Sequence, residues 1–252
     1  MTGLHEAAEP RLSDLSERER NERFERLQER LVDVWRAMRL NEPGESIVVV
    51  PSVAPPPGDN GAVVQAFEER LLFLLLLLRQ PRLQLVFVTG RPVSEVVVGY
   101  YLALLPGVIP SHARARLHMI AANDGSPRTL TAKLLSRPRV LEAIKARIPD
   151  RARCHLVPFT SSSDERDLAL ALGIPLYGAD PRFLPFGTKT GCRRLFADAG
   201  CKAHRPSIFV RLLDGLSDSL NQSSGIIGCL GRVAARLIDR LLVPQLSQRA
   251  AK

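Results

Sequence analysis

Several common signatures are missing from this sequence, and each absence removes a class of function. The four cysteines, Cys154, Cys192, Cys201 and Cys229, form no Cys-x-x-Cys pair, so neither a disulfide framework nor a structural zinc site is expected. No early apolar segment resembles a secretory leader, which makes a reduced, cytoplasmic setting the simplest expectation. The longest unbroken apolar run, Leu71 to Leu78, falls far short of the roughly 20 residues that span a bilayer. Glu68, Glu69 and Arg70 precede it and Arg79 follows, so it reads as part of a buried helix with apolar residues all round, not a transmembrane segment. The first strand-to-helix loop has no G-x-G-x-x-G, which argues against a dinucleotide dehydrogenase. Gly187-Thr188-Lys189-Thr190 lacks the glycines of a phosphate loop, and neither G-x-S-x-G nor H-E-x-x-H occurs. Zinc-finger spacing, an RNP-like aromatic motif and a Lys/Arg block are absent too, so nothing points to nucleic acid.

What is present is a chain of 252 residues with ordinary apolar content, enough to bury a core, and a net charge of +9. Residues 1–45 hold 8 Arg against 11 Asp and Glu, whereas residues 202–252 hold 8 Lys and Arg against 3 Asp. The positive charge therefore lies in the middle and at the end, where solvated surface arginine accounts for most of it. The histidines His5, His112, His118, His155 and His204 share no ligand spacing and read as packing or surface residues. Asp164, Glu165 and Asp167 fall at a helix start, where the macrodipole favours negative charge, so they need no metal.

Hydrophobic periodicity lays out the elements. Leu15 to Leu40 reads as one amphipathic helix, with Phe24, Leu27, Leu31, Val34 and Met38 on one face and Ser13 or Ser16 at its start. Strands are expected at 47–50, 85–88, 117–121 and 155–157, and helices at 62–79, 92–105, 139–148 and 164–172. Apolar runs alternating with helices imply a parallel sheet covered on both faces, an α/β domain of Rossmann-like type. A further helix is expected from Thr188 to Gly200, and an amphipathic one from Ile226 to Leu242 carries a stripe of Arg232, Arg236 and Arg240. Four cations, Arg182, Lys189, Arg193 and Arg194, lie within thirteen residues beside Gly178 and Gly187. A phosphate group suits cations at a helix start, and so does a plain solvated basic face.

Longer blocks carry a resemblance. Asn41 to Ser52, Glu68-Glu69-Arg70 with its leucine run to Arg82, Tyr100 to Arg116, and Tyr177-Gly178-Ala179-Asp180-Pro181 through Gly187 to Phe196 resemble the ATP-grasp carboxylate–amine ligases. That family includes the pheganomycin-type peptide ligases and the ATP-grasp region of IQ-motif-containing protein H. The likeness covers about residues 15–200. It implies a Rossmann-like pre-ATP-grasp domain followed by the opening of an ATP-grasp domain. The family's chemistry uses ATP and magnesium to convert a carboxylate into an acylphosphate, which an amine then attacks. By position in the matching block Arg182 would contact ATP; Lys189 matches the lysine that opens the following helix, with helix capping as its other role, and Arg193 is the further nucleotide-binding candidate.

The chain departs from the pattern as well. The family's second half brings a further lysine, a hinge and late magnesium-binding carboxylates, but no glutamate occurs after Glu165. The only Glu-x-Asn, Glu19-Arg20-Asn21, lies on the first helix. The expected layout is a helical segment 1–40, a pre-ATP-grasp α/β domain 41–173, an ATP-grasp opening 174–201 and an unrelated tail 202–252. This describes a truncated or divergent ligase relative that is inactive alone, with no catalytic residue or metal ligand assigned and with a protein partner or the missing half as its complement. The alternative is a non-catalytic interaction module whose basic tail helix meets a partner groove or a membrane surface. An unrelated transferase would need acidic residues at strand ends, for which Asp124 is the candidate.

Overall fold

Ile47, Val48, Val49 and Val50 are β-branched and follow one another without a polar break. They form β1 (Ser46–Val50), all five residues of which are buried. In the computed structural model, which describes residues 12–40, 44–58 and 61–199, β1 pairs in parallel with β2 (Gln84–Thr89) on one edge and β4 (Cys154–Pro158) on the other. β3 (Leu117–Ala121) pairs in parallel with β2, which gives the order β3-β2-β1-β4. This is an α/β fold on a four-stranded parallel sheet, consistent with a Rossmann-like domain. Residues 175–177 extend the sheet briefly beyond β4: Leu156 N–H donates to the Pro175 carbonyl at 2.8 Å, and Tyr177 N–H donates to the Leu156 carbonyl at 2.7 Å.

Period-two alternation sends side chains to two cores. Ile47, Val49, Leu85 and Phe87 point into one, Val48, Val50, Val86 and Val88 into the other. The first core is covered by α3 (Ala62–Arg70) running into a 3₁₀ helix Leu71–Arg79, by α4 (Glu95–Ala103) and by α5 (Pro110–Arg114). The second is covered by α1 (Glu17–Glu29), α6 (Leu130–Leu135), α7 (Pro138–Lys145) and α8 (Ser163–Leu172). The expected single helix at 62–79 is thus two kinds of helix. In the 3₁₀ stretch residues three apart eclipse, so Leu72, Leu75 and Leu78 form one buried row while Phe73 and Leu76 are about half exposed. Burial on all sides was the sequence expectation, and the three-residue repeat excludes it.

The expected long helix 15–40 also divides. α1 starts on a capping box formed by Ser16 and Glu19, and ends at Arg30 before α2 (Leu31–Leu40). At the junction the Arg30 guanidinium donates to the carbonyls of Gly173 (3.2 Å) and Arg151 (2.6 Å). These helices are fastened to the sheet layer. The Gln28 amide both donates to and accepts from the backbone of Leu176, at 3.0 and 2.7 Å. Buried Arg166 on α8 donates to Glu17, to Asn21 at 2.7 Å and to Asp167 at 2.8 Å.

The chain divides into two compact units, Met1–Arg182 and Phe183–Lys252. Of the second, residues 183–199 are described. Thr188 caps α9 (Lys189–Asp198) by accepting the Gly191 N–H at 2.9 Å while donating to the Pro185 carbonyl at 2.8 Å. A side chain on Gly191 would strike that same carbonyl, so the Gly-Thr-Lys-Thr-Gly run builds a capped, tight helix entry. The tail helix expected at 226–242 lies outside the described residues.

Arg166→Ala is expected to lower unfolding free energy by about 2 kcal/mol, because it removes a buried guanidinium whose hydrogen bonds to Glu17 and Asn21 tie α8 to α1. Arg18→Ala, which removes an exposed pair with Glu22, should leave it nearly unchanged. Urea titrations of both variants check this, and equal small effects would show that α1 is not anchored through Arg166.

Candidate functional site

Parallel strands bring all their carboxyl ends to one edge of the sheet, where open α/β sheets bind ligands. The loops there are 51–61 after β1, 90–94 after β2, 122–129 after β3 and 159–162 after β4. Two charged side chains reach this edge from opposite faces. Glu68, on α3, is 1% exposed, and Lys133, on α6, is 2% exposed. Both converge over Gly90, directly after β2. A Cβ on Gly90 would lie 3.2 Å from Glu68 Oε1, from Lys133 Nζ and from the Asp124 carbonyl oxygen alike. Glycine is what lets the two groups approach the strand end.

The Gly90 N–H donates to Glu68 Oε2 at 2.5 Å, while Glu68 Oε1 is buried without a hydrogen-bond partner. Burial raises the Glu68 pKa from its ordinary 4.5 to about 7, against the pull of the Gly90 N–H and the Lys133 charge. Several surrounding polar groups are engaged by one another. Asp124 accepts from Ser126 N–H (2.8 Å), Arg137 (2.6 Å) and Arg128 (3.0 Å). The hydrogen bonds from Ser126 and then the two arginines hold its carboxyl well below the usual range. Thr131 donates to Glu165 at 2.6 Å and its N–H reaches Ser52 Oγ at 3.3 Å, while Glu165 also closes a capping box with Ser162 at the start of α8. Of the acidic group at the start of α8, Glu165 therefore serves the cap and Asp167 pairs with Arg20 and Arg166, while Asp124 is an anchor between two arginines. Among the described residues, no group of three or more His, Cys, Asp or Glu side chains could hold a metal ion.

The segment singled out in the sequence spans the two units. Arg182 closes the first: its guanidinium grips Asp180 (Nη2 to Oδ2, 2.8 Å) and Glu25 (2.7 Å). The hydrogen bond from Arg182 keeps the Asp180 carboxyl low, and the hydrogen bond to Asp180 keeps the guanidinium high. Lys189 and Arg193 stand four residues apart on α9 in the second unit, Lys189 exposed and Arg193 half-buried. A nucleotide phosphate would have to displace two carboxylates from Arg182, which fits poorly with a free phosphate clamp.

Glu68, Lys133 and Gly90 escaped the sequence reading. Glu68 passed as the charged border of the leucine run, although it shares a helical stripe with Val64 and Leu72, both buried. A carboxylate inside an apolar stripe was the available signal. Lys133 sits on a six-residue helix too short to show periodicity. Elsewhere, His155 is buried with an unpartnered Nδ1, and burial lowers its pKa from 6.5 to about 4. Buried Cys154 has its thiol pushed up to about 12, chiefly by burial, which makes it a poor nucleophile. No family model matches the chain, and no curated protein or solved structure does.

Glu68 and His155 set opposing pH dependences. Glu68 holds its proton in the folded state up to about pH 7 but releases it near 4.5 when unfolded, so it lowers stability as pH rises through that window. His155 stays neutral in the folded state down to about pH 4 but protonates near 6.5 when unfolded, so it raises stability as pH rises. Each is worth on the order of 3 kcal/mol over its window, and in the wild type the two offset. Glu68→Gln should leave stability climbing with pH between these limits, and His155→Phe should leave it falling. Thermal unfolding as a function of pH distinguishes these slopes, and parallel profiles in both variants would refute the assignment.

Proposed function

We propose that this chain supplies the α/β domain of an ATP-grasp-type carboxylate–amine ligase and acts by binding a small substrate, without performing phosphate chemistry alone. The reading rests on four sequence blocks that resemble that family. The observation that supports it most is the parallel sheet whose carboxyl edge presents a buried acid and a buried amine over Gly90. An amine beside a protonatable carboxyl suits a ligand that carries a carboxylate, which is one of the two substrate classes of such ligases. Binding is separated from chemistry because the cation best matched to ATP by position, Arg182, is already met by Asp180 and Glu25. The resemblance names Arg182, Lys189 and Arg193 for a nucleotide; of these, Arg182 would first have to leave Asp180 and Glu25. Among the described residues no helix is long and apolar enough to cross a membrane.

Purified chain incubated with ATP, magnesium and a mixture of free amino acids is expected to release no more phosphate than a heat-inactivated control. Release above the control would overturn the binding-only assignment. Equilibrium dialysis against radiolabelled amino acids and simple carboxylates should show saturable retention, and retention of none of them would remove the ligase reading itself.

A further inference from the structure

The packing of the fold does not require the meeting of Glu68 and Lys133. They arise from helices on opposite faces of the sheet and are brought to the one position, after β2, where the backbone carries no side chain. Glu68 Oε1 is sealed from solvent with its hydrogen-bonding capacity unused, an arrangement that destabilises a fold unless something meets it. Charge around the pair is predominantly positive. Lys133 lies beside Glu68, the Arg91 guanidinium packs against Gly125 in the neighbouring loop, and Arg128 and Arg137 converge on Asp124. The carboxylates at hand are Asp124, held by its arginines, and Glu69, the next residue on α3, whose charge adds to the burial effect on Glu68.

We infer that the carboxyl end of β2 is a binding site for one small carboxylate, received by the Lys133 ammonium and by the Glu68 carboxyl in its protonated form. Lys133 donates to one ligand oxygen and the Glu68 Oε1–H to the other, while Oε2 keeps the Gly90 N–H. Two donors match the two oxygens of a carboxylate, whereas a phosphate would bring further oxygens with no partner there. When Glu68 is ionised the ligand faces a second carboxylate, so binding takes up a proton and weakens as pH rises. Both side chains are buried, so the site takes a small ligand. The inference rests on the ligase reading and deepens it by naming where the carboxylate sits.

The test is a titration of the isotopically labelled full chain with sodium acetate, followed at the Gly90 amide. Sodium chloride at equal ionic strength and sodium phosphate run in parallel. A saturable shift with acetate alone is expected, weakened at least about tenfold in Lys133→Met. Glu68→Gln, which keeps a donor permanently, should bind as wild type does near pH 6. It should still bind near pH 8, where the wild type has lost most of its affinity. Unchanged acetate binding in Lys133→Met would overturn the inference, as would equal shifts with chloride or phosphate, which mean an adventitious ion only. Should Lys133→Met fail to fold, a Glu68→Gln profile as pH-dependent as the wild type's overturns it alone. Acetate that binds the chain but leaves Gly90 unmoved removes this site while leaving the ligase reading in place.

Discussion

β1 has a parallel partner on each edge and an apolar core on each face, so nothing about it can change without disturbing both layers. Its five residues are buried, and the pairs Ile47 with Leu85 and Val48 with Val86 settle the register on one side as His155 and Leu156 do on the other. A one-residue slip would exchange the two cores at every position. Because all four strands run the same way, every turn that follows a strand is delivered to one edge. Glu68, Lys133 and Asp124 meet at that edge for that topological reason.

That edge is costly to build. Two glycines permit it: Gly90 makes room for Glu68 and Lys133, and Gly61, at φ +91°, lies so close to the Gly125 carbonyl that a Cβ would overlap it. Hydrogen bonds meet nearly every charge in the neighbourhood, with Asp124 bound by two arginines and Glu165 shared between Thr131 and Ser162. Glu68 Oε1 stands out against that background. Among the described charged groups at this edge it is the one carboxylate oxygen that is buried and unmet.

Legibility in the sequence followed the length of the pattern. The four strands were readable because β-branched runs bounded by turn residues have few alternatives, and the observed limits differ by at most one residue at either end. The helix at 164–172 was readable from its polar start and Gly173, which ends it in the left-handed conformation. By contrast, α5 and α6 have five and six residues, under two turns, and periodicity cannot establish itself over that length. Leu71–Arg79 defeated the reading differently: a run of leucines has no polar phase, so nothing in it separates a 3.6-residue repeat from a 3.0-residue one. Packing against β1 and β2 selected the latter.

By itself the sequence determined the fold class and the strand positions, both of which depend on local pattern and composition. Tertiary structure alone decided which charges meet. Glu68 and Lys133 are 65 positions apart on different helices, and only the crossing of those helices over β2 brings them to Gly90. Arg182, conspicuous in the sequence as a free cation, became half of an ion pair once Asp180 and Glu25 were folded beside it. Desolvation and charge pairing arise from neighbours in space, and the order of residues along the chain does not specify those until the chain has folded.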